Sequence, residues 1–107
     1  MLTNDTTKMK MPAKSFDPTD PLTAAIRTLL FREWDPCSAN GNIECEGDYD
    51  SYIPAIYRLA VDGKSINHIA ARLAFVERHH MMLFPRKDLN KKVAARIFSL
   101  AEASRQQ

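Results

Sequence analysis

At 107 residues the chain has room for one domain and a single core. A composition of 45% hydrophobic and 26% charged residues excludes a wholly disordered chain, and only three glycines argue against a sandwich or barrel built on tight turns. The net charge of +2 conceals an asymmetry: residues 35–50 carry five acidic and no basic side chains, whereas residues 64–107 carry nine Lys or Arg against three acids.

No apolar run approaches the ~20 residues of a membrane span. The polar start, Met1 to Ser15, lacks the apolar stretch of a secretory signal. Both features point to a cytoplasmic protein, with Cys37 and Cys45 as reduced thiols. A disulfide closing the short loop between them stays open as an alternative.

In chain order, residues 1–17 are rich in Thr, Lys and Asn without a clear period, and read as a disordered tail. The domain proper is predicted over 18–107. Asp20 before Pro21 marks a helix start, a capping carboxylate followed by proline at the first helical position. Leu22, Ala25, Ile26, Leu29 and Leu30 then recur at helical spacing, so a first helix is predicted over 21–34. Asp35-Pro36 stops it, because a residue before proline avoids the helical region.

Residues 35–50 read as a long loop, with Asn40-Gly41 as a turn signal. Ser51 is expected to cap a second helix over 51–62. Pro54 falls in its first turn, and Ile53, Ile56, Tyr57 and Ala60 form its stripe. Gly63 is expected to end it in a left-handed conformation. Ser65 caps a third helix over 66–81, with Ile66, Ile69, Ala70, Leu73 and Val76 inward. Asp88 is expected to cap a fourth over 89–104, with Leu89, Val93, Ile97, Leu100 and Ala101 on its apolar face. No strand pattern intervenes. The predicted fold is all-α, a four-helix antiparallel bundle-like domain.

The densest chemistry lies in Glu33-Trp34-Asp35-Pro36 and Gly47-Asp48-Tyr49-Asp50-Ser51-Tyr52. One reading is structural: Trp34 anchors the loop, a carboxylate caps a helix, and the tyrosines pack with their hydroxyls at the edge. The other is a surface in which Trp34, Asp35, Asp48, Tyr49, Asp50 and Tyr52 meet a protein partner. Trp34→Ala separates the two, because a fully buried tryptophan costs about 3–5 kcal/mol to truncate.

Trp34-Asp35-Pro36, then Asp48-Tyr49-Asp50-Ser51-Tyr52, an apolar helix, and Ile69-Ala70 and Leu73 with Glu77 together resemble a family of small bacterial helical proteins of unknown function. Its members carry a WDP…(D/E)YDxY signature, and the resemblance spans about residues 22–100. The chain departs from that pattern in following WDP with Cys37-Ser38 and in a longer loop before Asp48. The resemblance implies a helical fold and a bacterial, cytoplasmic setting, and supplies no activity.

Other chemistries are poorly served. Asp48 and Asp50 alternate as calcium ligands would, but no Asp-x-Asp-x-Asp-Gly series or closing glutamate follows. The two cysteines lack a second ligand pair at zinc spacing, and the adjacent His79 and His80 diverge on a helix. No glycine-rich phosphate loop is present, and nothing places a nucleophile beside a base. The expectation is therefore a protein without cofactor or metal, and not an enzyme. Gly63 to Leu73 imitates the first helix of a helix-turn-helix, yet the helical pattern runs on where the turn is required.

The leading expectation is a non-enzymatic protein-interaction module, of which an immunity or antitoxin-like role against a basic toxin is one form. The alternative is a nucleic-acid binder using Arg72, Arg78, Arg86, Lys87, Lys91, Lys92 and Arg96 on the third and fourth helices. The cluster Met81-Met82-Leu83-Phe84 is expected to close one end of the core. Exposed, it would instead be a partner surface.

Overall fold

The structure is a computed structural model that describes residues 16–35, 47 and 49–105. Four α-helices build an all-α domain: α1 Pro21–Leu29, α2 Ile53–Val61, α3 Ile66–His79 and α4 Lys87–Arg105. No strand occurs among the described residues. The long α4 packs against each of the other three helices, and α3 with α4 forms the most extensive interface. The core joins Ile26 and Leu30 of the first helical segment, Ile56 and Tyr57 of α2, Ile69 and Leu73 of α3, and Val93 and Ile97 of α4.

Two of the expected caps form. The Asp20 carboxylate accepts from the Leu22 N–H, and Ser65 Oγ accepts from the His68 N–H. Gly63 ends α2 at φ 73°, a conformation that suits glycine because it has no Cβ. Phe16 and Asp17, assigned to the tail from sequence, belong to the fold. The Phe16 ring meets Tyr57 edge-on at 5.4 Å, and the Asp17 carbonyl accepts from the Thr23 hydroxyl.

Three local expectations are corrected. Ser51 does not cap α2: a 3-10 turn, Asp50–Tyr52, leads into it, and Tyr52 at the cap position makes no side-chain bond. Asp88 does not cap α4, which already starts at Lys87. The carboxylate sits in the first turn, where the helix dipole favours it. The buried face of α4 is also rotated, with Asn90, Val93, Ala94, Ile97 and Ala101 inward and Leu89 and Leu100 half-buried. No helix among the described residues is long and apolar enough to cross a membrane.

Candidate functional site

The chain from α1 does not end as an α-helix. Leu30–Trp34 forms a π turn, closed by the Asp35 N–H donating to the Leu30 carbonyl at 2.8 Å. Asp35 then takes a left-handed conformation, φ 35°, which its short polar side chain tolerates better than most. Trp34 at the end of this wider turn is only 1% exposed.

Trp34 is bound at its indole and at its carbonyl. Its Nε1–H donates to Asn90 Oδ1 at 2.9 Å, and its carbonyl accepts from Arg86 Nη2 at 2.7 Å. Asn90 Nδ2 donates onward to Glu77 Oε1 at 2.7 Å. Arg86 closes the ring, its Nε donating to Glu77 Oε2 at 2.8 Å and its backbone N–H to Oε1 at 3.2 Å. Glu77 is fully buried, so its carboxylate depends on these partners in place of water. Three remote stretches of chain, at Trp34, Glu77 and Arg86–Asn90, are thereby fastened together.

The aromatic and acidic residues settle around this clamp. Tyr49 is buried, meets Trp34 edge-on at 5.6 Å and donates its hydroxyl to Asp35 Oδ1 at 2.7 Å. Trp34, Asp35 and Tyr49 thus form one internal strut, with little of either ring left to face a partner. Asp50 is exposed and pairs with Arg27 at 3.0 Å. Gly47 leaves room for that pair, since a Cβ there would come within 2.9 Å of Arg27 Nη2. Tyr52 is half-buried and lies 5.7 Å from the His80 ring. Asp48, Cys37 and Cys45 lie outside the described residues.

The basic residues are divided. Arg86 belongs to the clamp, and Arg96 pairs with Glu33 at 2.9 Å. The Arg72 guanidinium lies 5.1 Å from the Phe75 ring centroid. Arg78, Lys87, Lys91 and Lys92 are exposed. Lys87 and Lys91 line a groove of about 370 Å³ with Ala70 and Ala74 of α3. Among the described residues no group of three or more His, Cys, Asp or Glu side chains could hold a metal ion.

The turn between α3 and α4 departs most from expectation. Met81 to Phe84 does not close the core: Met82 is 81% exposed, Phe84 93% and Leu83 39%, and only Met81 packs against the core. This turn is anchored. Its Leu83 N–H donates to the Glu77 carbonyl at 2.8 Å, while the Glu77 carboxylate holds the Arg86 N–H at its far end. Met82 itself is left-handed, φ 57°. One helical turn before the end of α3, Phe75 is 44% exposed, with its ring 4.6 Å from His79 and 5.7 Å from His80. Tyr52, His80, His79 and Phe75 thus form a strip of rings at the end of α3 that leads into the turn.

Glu77 and Asn90 escaped the sequence reading as functional parts, although a signal was present. Glu77 follows Leu73 by four residues on an otherwise apolar stripe, and Asn90 precedes Val93 and Ala94 on another. A polar residue on each of two stripes that must meet is the pattern of a buried hydrogen-bonded pair. Compared with known proteins, the chain matches no family model, no curated protein and no solved structure.

Proposed function

We propose that the protein is a non-enzymatic protein-interaction module whose docking surface is the α3–α4 turn, flanked by Phe75 and Tyr52. The observation that carries this reading is Met82 beside Phe84. An exposed left-handed position favours glycine or asparagine on both solvation and backbone grounds, yet it holds a methionine. Strained backbone is tolerated where surrounding contacts over-determine it, and Glu77 supplies such contacts on both sides of this turn. A small domain that holds two large apolar side chains in water on an anchored turn has a surface suited to a partner. Pre-organisation also reduces the ordering cost of binding.

An immunity or antitoxin-like role remains one form of this proposal. The partner it calls for offers an apolar cleft, and of the acidic aromatic set Tyr52 borders the surface. The test is affinity capture from an extract of the native host with the wild-type chain and with Phe84→Ser. A protein retained by the wild type and lost from the variant is the expected result. Identical capture by both chains overturns the reading.

A second reading, nucleic-acid binding, draws its support from Lys87 and Lys91 along the α3–α4 groove, with Lys92 exposed nearby in sequence. It requires a gel shift at low salt that weakens steeply as salt is raised and is lost in Lys87→Gln/Lys91→Gln. Absence of a shift with both DNA and RNA removes it.

A further inference from the structure

We infer that the groove between α2 and α3 receives an acidic, amphipathic peptide segment of the partner, with Arg72 and Arg58 holding its carboxylates and Phe75 and Leu59 its apolar side chains. This rests on the protein-interaction reading above and names the chemistry of the partner. The groove has a volume of about 500 Å³ and is lined by Arg58, Leu59 and Asp62 from the α2 side and His68, Arg72 and Phe75 from α3.

The α3 residues share one face because they follow at four- and three-residue steps. Against the single carboxylate of Asp62 stand two arginines. Among the described residues neither Arg58 nor Arg72 takes part in an ion pair. The Arg72 Nε is in addition buried and has no hydrogen-bond partner. That nitrogen is closed to solvent, so a carboxylate arriving in the groove would pair with the outer guanidinium nitrogens of the half-buried Arg72.

The rest of the groove specifies what carries that carboxylate. Phe75 belongs both to the groove and to the aromatic strip that leads through His79 and His80 towards the exposed turn. A ligand that follows this surface must cover apolar rings as well as guanidinium groups. A chain segment alternating acidic with aliphatic or aromatic residues does both. A nucleic-acid duplex would meet Phe75 and Leu59 mainly with phosphates, and a basic segment would leave both arginines unpaired.

The experiment is selection of a random peptide library on the full chain, followed by affinity measurement of the enriched peptides on variants. Enriched peptides are expected to carry Asp or Glu interspersed with Leu, Ile or Phe. Their binding is expected to weaken about tenfold in Arg72→Gln, the scale of one lost charge-assisted hydrogen bond, and to weaken in Arg58→Gln as well. Arg58 is exposed on α2, so its variant carries the test if Arg72→Gln melts early.

Peptides without acidic residues, or whose binding ignores both substitutions, overturn the groove assignment, as does a library that yields no binder. Peptides lost on Phe84→Ser but indifferent to Arg72→Gln and Arg58→Gln overturn it while leaving the docking turn in place. Failure of the interaction reading itself shows separately, as capture from extract that Phe84→Ser does not change.

Discussion

Two stretches, Trp34-Asp35 with Tyr49, and Met81 to Phe84, exchange the roles that their residue types suggest. The first combines tryptophan, tyrosine and carboxylates, the usual composition of a recognition surface, yet it is an internal strut. The second is a run of Met, Leu and Phe beside a proline, the usual composition of a core plug, yet Met82 and Phe84 stand in water. What separates the two is where their polar groups find partners. The Trp34 carbonyl and indole are taken by Arg86 and Asn90, which draws the ring inward. The Leu83 and Arg86 N–H groups are taken by Glu77, which holds the turn at the helix ends and its side chains outside.

The largest expected effect sharpens the first half of that contrast. Trp34→Ala removes a side chain that is 1% exposed and leaves Asn90 Oδ1 without its donor. A loss of about 3–5 kcal/mol follows, a large share of the roughly 5–15 kcal/mol that holds a domain of this kind together. Chemical denaturation reads it directly. A midpoint close to that of the wild type would mean that Trp34 is not a core residue.

Glu77→Ala comes next, at about 3 kcal/mol. It leaves Arg86 and Asn90 facing a cavity, but the Arg86 side chain is 39% exposed and can turn to water, which places the cost at the lower end for a broken buried pair. The same substitution loosens the turn, so amide exchange at Leu83 and Arg86 should accelerate together. Exchange that accelerates at neither would show that the turn does not depend on the carboxylate.

Much of this architecture is legible in the sequence because it rests on local rules. Asp20-Pro21, Ser65 and Gly63 mark ends that need only their own neighbours to form. The stripe of Ile53, Ile56, Tyr57 and Ala60 is buried as its spacing requires. The illegible parts depend on contacts between segments remote in the chain. The π turn at Leu30–Trp34 forms where Trp34 reaches Asn90, which lies 56 positions away. The rotation of α4 follows from the same bond, since Asn90 faces inward at the expense of Leu89. Composition alone could not decide the side on which Met82 and Phe84 lie, because an apolar run beside a proline fits a plug and a docking surface equally well.

Met82→Gly tests the second half of the contrast with a smaller effect. A left-handed conformation costs an ordinary residue roughly 1–2 kcal/mol, and glycine offsets roughly 0.5–1 kcal/mol of the relief through its freer unfolded chain. The variant should therefore gain about 0.5 kcal/mol. That amounts to roughly 2–4 °C in melting temperature for a domain of about 100 residues. A variant that melts lower than the wild type would show that the Met82 side chain packs on the protein, and that the turn is a plug after all.

Phe84→Ser should have the smallest effect on stability and the largest on binding, and the two must be measured on the same preparation. At 93% exposure the ring has almost no contact to lose, so the change in stability should stay within about 0.5 kcal/mol, as for other surface substitutions. Removing the ring can even raise solubility, because it takes a large apolar group out of water. Capture of the partner should fall at the same time. The pairing matters because Trp34→Ala and Glu77→Ala could each abolish capture by unfolding the domain, and would say nothing about which surface is used. Phe84→Ser separates the terms: a fold that melts unchanged with binding lost places the energy of recognition on the turn. If stability falls by several kcal/mol instead, the ring is buried in solution, and Met81 to Phe84 is the core plug that its composition suggests.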